Sequence, residues 1–220
     1  MSVTRLMARA IVFAAVLGWG GLGLQLYLIF QVRLDLGASL LGGVVNFFSY
    51  FTVLSNTLAA AALTAAGSPG HTAVARWFKR PWVAAGITVS IVLVGLAYNL
   101  LLRHLWQPEG LQRVADEILH DVMPVLFALY WWWAVPKGYL KVRHVLAWMV
   151  YPVAFFCYTL IRGSVIGTYP YPFLDVGELG FARVWMNAVG MLAAFVSLAL
   201  LLVVVDRWRA QHPLSIDAAG

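Results

Sequence analysis

Charge is what this sequence has least of. Asp, Glu, Lys and Arg make up 11% of its 220 residues, against 62% apolar ones. A soluble domain carries about 25% charged and roughly 45–50% apolar residues, so too few polar side chains exist here to cover a water-facing surface. Cysteine is nearly absent: Cys157 stands alone, which excludes a disulfide scaffold. The same apolar content excludes a disordered or collagen-like chain. Short segments of alternating hydrophobicity are missing too, which argues against a membrane β-barrel. No serine nucleophile elbow, phosphate loop, dinucleotide fingerprint or zinc spacing occurs. Haem would need facing histidines; only His104 and His120 fall on one side, and His104 sits at a helix end. No cofactor and no metal are expected.

What is present is long apolar runs separated by short basic clusters. Lys and Arg number 15 against 9 Asp and Glu, a net charge of +6. The pI is about 9.7 and the mean hydropathy +0.83. A basic pI can signal nucleic acid, but basic residues placed between apolar runs are a membrane pattern, and no nucleic-acid partner is expected. About 20 apolar residues of helix cross a hydrocarbon core about 30 Å thick. Six spans are expected on that measure, at about 10–31, 44–66, 82–102, 114–135, 144–163 and 182–205. The fold expected is all-α and polytopic: one six-helix domain over 1–208 and a polar tail over 209–220 that frays. The first span is too long for a signal-peptide core and is expected to stay as a helix.

Basic residues set the expected orientation. Arg5, Arg9, Arg76, Lys79, Arg80, Lys137, Lys141, Arg143, Arg207 and Arg209 fall on one side. Arg33, Arg103, Arg113, Arg162 and Arg183 fall on the other. The richer side is cytoplasmic, with both termini. Trp77, Trp82, Trp131, Trp132, Trp133, Trp148 and Trp208 then read as a belt at that interface. His71, His144 and His212 are expected to be solvated there.

The remaining polar residues gather toward the other side. Along the second span, Ser49, Thr52, Ser55 and Asn56 fall within an arc of about 120°, with Asn46 one turn earlier. Asp116, Glu117 and His120 share an arc of about 100° on the fourth span. Tyr98, Asn99, Arg103 and His104 end the third span, Tyr158, Thr159 and Arg162 the fifth, and Arg183 and Asn187 begin the sixth. Thr52 lies about 12 Å and His120 about 9 Å from their helix starts, so the two can meet across a bundle. One polar pocket opening to the outer leaflet is expected, since intramembrane ionisable groups mark sites.

Each of these residues has two readings. Thr52 is either a nucleophile served by a base or a hydroxyl bonded within its own helix. His120 is either that base or a histidine pinning two helices. Asp116 or Glu117 either orients the ring or marks a hydrated helix start favoured by the helix dipole. Arg162 either pairs with Asp116, Glu117 or Asp121, holds a substrate carboxylate, or snorkels to the interface.

Three segments resemble a known family. They are NFFSYFTVLSN (Asn46 to Asn56), EILHDVMPVLF (Glu117 to Phe127) and TYPYPFLDVGELGFAR (Thr168 to Arg183). They look like the androgen-induced protein and androgen-dependent TFPI-regulating protein family of multi-pass membrane threonine hydrolases, and its bacterial relatives. The resemblance implies an intramembrane hydrolase acting on fatty acid esters of hydroxy fatty acids, in the cell membrane of a bacterium. It implies Thr52 as nucleophile and His120 as base, with an acyl-enzyme released by water. Ser49, Ser55, Asn56 and Tyr158 are the oxyanion donors considered by depth, and Arg162 the holder of a free carboxylate. Its partners would be membrane lipid and a lipid ester. The rival reading is a non-enzymatic membrane protein, a small transporter or lipid-binding module using the same pocket; the lack of internal repeats counts against a transporter.

Overall fold

The computed structural model describes residues 3–70 and 72–212. His71 and the tail from Pro213 onward, expected to be solvated and frayed, lie outside the described residues. The described chain is all-helical, with four helices long and apolar enough to cross a membrane, or five when one bent pair is taken as a single span. It is a membrane-embedded α-helical protein. Its internal contacts divide it into two compact units, 1–135 and 136–220.

In the first unit, α1 (Val3–Asp35) lies along α3 (Phe51–Gly67). Water gives no drive for helices to associate within lipid, so close approach depends on small residues. Here Gly18 faces Ala60, and a methyl group added to Gly18 would come within 3.2 Å of the Ala60 methyl. Trp19 Nε1 donates to Thr64 Oγ1 at 3.0 Å across the same contact.

The span expected as one helix over 44–66 is broken. Helix α2 (Leu40–Phe47) and α3 meet at 78°. Local chemistry accounts for the break. The Ser49 hydroxyl donates to Val45 O at 2.6 Å, supplying a last-turn carbonyl with a side-chain donor, and Tyr50 is extended. Asn46 and Ser49 therefore stand on a different segment from Ser55 and Asn56.

The basic loop holds a short helix, α4 (Ala73–Phe78), whose Thr72 cap accepts from Ala75 N at 3.1 Å. Pro81, with no N–H to leave unsatisfied, starts α5 (Pro81–Ala97). Helix α5 runs on into a π turn (Tyr98–Leu102) and a 3₁₀ turn (Arg103–Leu105).

The stretch expected as a fourth span is helical from Gly110 to Ala134 but is not among the long apolar helices. It consists of α6 (Gly110–Glu117), a π turn (Ile118–Val122) and α7 (Met123–Ala134). Pro124 explains the π turn. Met123 N donates to Ile118 O, five residues back, and Pro124 has no N–H to continue the ladder.

The second unit pairs α8 (Arg143–Ile166) with α9 (Val176–Gln211). Gly167, left-handed at φ 73°, ends α8, and Asp175 caps the start of α9. Asn187 Nδ2 donates to Phe173 O at 2.9 Å and holds the intervening turn. Helix α9 is interrupted at Gly180 and extends to Gln211, past the expected end at 205 and into the segment expected as tail. The Asp206 carboxylate, 1% exposed, accepts from Gly138 N and Leu140 N and anchors the 136–142 loop.

Two of the belt tryptophans are not lipid-facing: Trp131 and Trp148 are buried. His212 is exposed, as expected, whereas His144 is half-buried. His144 Nδ1 accepts from Lys141 N at 3.1 Å, and His212 stacks on Trp208.

Candidate active site

Asn56, Asn99, Arg103, Asp116 and Glu117 make their contacts at or beside the two π turns, which carry Tyr98, His120 and Asp121. Leu22 of α1, Phe47 of α2, Val53 of α3 and Leu119 of the second π turn share one apolar cluster, so the broken helix wraps the segment that carries His120. Gly95 lets α5 approach the same segment: a Cβ there would lie 3.1 Å from His120 O and 3.2 Å from Pro124 Cβ.

Asn56, fully buried, ties α3 to this segment. Its Nδ2 donates to Thr52 O and to Leu119 O, both at 2.9 Å. The second bond replaces what Pro124 cannot give, since Leu119 O is the carbonyl five residues before the proline. In lipid an unsatisfied carbonyl costs several kcal/mol, which makes this amide structurally necessary. The backbone of Thr52 and the residue preceding His120 thereby sit on either side of one side-chain amide.

Thr52 is the second residue of α3, immediately after the break, and 8% exposed. The first turn of α3 also directs its amides and the positive end of its dipole to the break.

His120 Nδ1 lies 3.1 Å from Asp116 Oδ1 and 3.0 Å from Asp116 O. The Tyr98 hydroxyl donates to Asp116 Oδ2, and the Tyr98 ring stacks on the imidazole with centroids 3.9 Å apart. Glu117, expected on the same face, turns instead to Arg103, whose Nη1 is 3.2 Å from Glu117 Oε1. Arg103 Nη2 pairs with Asp121, which also accepts from Asn99 Nδ2 at 2.7 Å. Arg103 is thus the cation of Glu117 and Asp121, and Asp116 is engaged by His120 and Tyr98.

Of the residues singled out in the sequence, the structure places Ser49, Thr52, Ser55 and Asn56 in the interior, with Asn46 half-buried on the last turn of α2. It joins Asp116 to His120. Tyr158 and Arg162 stand on α8 of the second unit. The parts played by Tyr98 and Arg103 have no mark in the spacing, because a π turn displaces them from α-helical positions. Gln25 and Gln112, bonded at 2.8 Å between α1 and α6, are likewise silent in sequence. Among the described residues no group of His, Cys, Asp and Glu is arranged to hold a metal ion.

These features define a class: a polytopic α-helical membrane protein with a buried aspartate joined to a half-buried histidine, and a helix broken just before a threonine. No family model, no curated protein and no solved structure matches the chain.

Proposed function

We propose that the chain is an intramembrane carboxylic ester hydrolase with Thr52 as nucleophile and His120 as general base, acting on lipid esters such as fatty acid esters of hydroxy fatty acids. The observation that carries this reading is the double hydrogen bond of Asn56, which couples the backbone at Thr52 to the carbonyl beside His120. It is joined by the break that takes Thr52 out of a continuous helix.

A free hydroxyl is too weak a nucleophile at neutral pH and needs a base. In the reaction, His120 takes the Thr52 proton as Oγ1 attacks the ester carbonyl carbon. The tetrahedral intermediate collapses as His120 returns that proton to the departing alcohol, leaving an acyl-threonine. Water, deprotonated by the same imidazole, attacks this ester, and the acid leaves as Thr52 regains its proton. The start of α3 favours the oxyanion, because helix N-termini stabilise negative charge.

The same reading places the chain in the cell membrane of a bacterium, with six spans and cytoplasmic termini. The broken pair α2–α3 and the stretch 110–134 count as one span each, and ten of the fifteen basic residues lie on the inner side.

A fluorophosphonate probe on the protein in detergent micelles is the test. Labelling is expected in the wild type and lost in both Thr52→Ala and His120→Ala. Labelling that persists in both variants refutes the pair; an unlabelled, inactive wild type assigns the site to lipid binding.

A further inference from the structure

We propose that Asp116, itself held by Tyr98, is the positioning residue for His120, completing a Thr–His–Asp arrangement in which Nε2 is the proton-accepting nitrogen. This rests on the hydrolase reading for its kinetic consequence, but the ring geometry stands by itself.

Two acceptors face one ring nitrogen. Nδ1 is 3.1 Å from a carboxylate oxygen of Asp116 and 3.0 Å from the Asp116 carbonyl. A lone pair on Nδ1 would point at two oxygens, whereas a proton there is shared between them. The neutral ring is therefore held as the Nδ1–H tautomer, which leaves Nε2 as the basic nitrogen.

Tyr98 acts twice. Its hydroxyl holds the other oxygen of Asp116, and its ring covers a face of the imidazole at an interplanar angle of 18°. The first contact fixes the acceptor; the second opposes rotation of the ring. Both Tyr98 and Asp116 are 5% exposed, so water does not compete for either bond. Arg103 lies over the Tyr98 ring, 5.1 Å from its centroid, and steadies it from outside.

Charge separates Asp116 from its neighbours. Glu117 and Asp121 each have Arg103 as a permanent counter-ion. Asp116 has no Lys or Arg in salt-bridge contact among the described residues. Arg103 reaches it only from farther off, and the cation in contact with it is the imidazolium that forms when His120 takes a proton. An interaction stronger in the transition state than in the ground state is what accelerates a reaction. The i, i+4 spacing sets Asp116 against His120 one turn apart, and the π turn that contains His120 leaves the ring beside Tyr98.

The test uses the full-length protein in micelles, with a p-nitrophenyl long-chain acyl ester as the kinetic probe. Asp116→Asn presents an amide to Nδ1 and competes for the tautomer. A buried triad loses about 10⁴ in kcat on that change; the Asp116 carbonyl persists here, so a loss of about 100-fold is expected, with KM changed less than threefold. Tyr98→Phe keeps the ring stack, removes the hydroxyl, and is expected to cost about tenfold in kcat. Selective ¹⁵N-histidine NMR, with His120→Gln to assign the signal, is expected to show the Nδ1–H tautomer in the wild type and a tautomer mixture in Asp116→Asn.

Kinetics within threefold of wild type for both variants overturn the proposal. So does an Nε2–H ring in the wild type. If Asp116→Asn does not fold, Tyr98→Phe and the wild-type spectrum decide the matter. Activity retained in Thr52→Ala refutes the hydrolase reading alone, because the NMR result does not depend on turnover.

Discussion

Replacing Asn56 by alanine tests the central contact of the first unit. The change removes two hydrogen bonds of 2.9 Å from a fully buried position. Thr52 O keeps its helical donor, so little is lost there. Leu119 O does not, because Pro124 has no N–H. A buried carbonyl left without a donor costs about 1–3 kcal/mol. Working in the other direction, Asn56 Oδ1 is itself buried without a partner, and alanine removes that burden. Interhelical hydrogen bonds in a bilayer protein measure about 0.6 kcal/mol on average and about 1.7 at most. The expected destabilisation is therefore about 1–2 kcal/mol. Equilibrium unfolding in mixed micelles by added SDS measures it. The proline supplies the decisive second arm: Pro124→Ala restores an N–H next to the deprived carbonyl, so the double variant should regain about 1 kcal/mol of the loss. Strict additivity of the two changes, or an Asn56→Ala protein within about 0.5 kcal/mol of wild type, refutes the reasoning.

Further predictions concern both units. Gly163→Ala would drive a methyl group into the Tyr169 ring, and a loss of about 1–3 kcal/mol in unfolding free energy is expected. Asp206→Ala releases the amides of Gly138 and Leu140, so trypsin should cut at Lys137 and Lys141 several-fold faster, as SDS gel time courses would show. Arg103→Ala leaves Glu117 and Asp121 without their shared cation. Because those groups are partly exposed, a cost of about 1 kcal/mol is expected, read as a fall in Tm of about 2–4 °C that added salt diminishes.

The sequence shows the membrane class plainly, since nothing but lipid-facing or mutually packed helices absorbs so high an apolar fraction. It also shows where ionisable groups concentrate: Asp116 and Glu117 both stand one turn from His120 in the sequence, and the structure joins Asp116 to it. Helix interruptions are less visible. The break at 48–50 falls inside an apolar run with no proline or glycine, and it depends on the Ser49 hydroxyl taking a backbone carbonyl. Pro124 does announce an irregularity, but the donor that compensates for it is Asn56, far away in the chain. The assignment of Arg103 to Glu117 and Asp121 depends on where a π turn and a 3₁₀ turn leave its side chain. An ideal-helix projection of Tyr98–Leu105 has no means of giving that.

The π turn before Pro124 also governs phase. Ala115, Leu119, Met123, Phe127 and Trp131 recur every fourth residue, and all are buried. Around an uninterrupted α-helix such a repeat drifts about 40° per step, or about 160° from Ala115 to Trp131. One surplus residue in the turn takes back roughly 100° of that drift. The apolar line stays straight, and Asp116 and His120 are rotated away from it toward Tyr98. Removing the surplus residue would turn the helix before the π turn by about 100° against the helix after it. A single proline thus keeps the helix's structural face and its chemical face out of step.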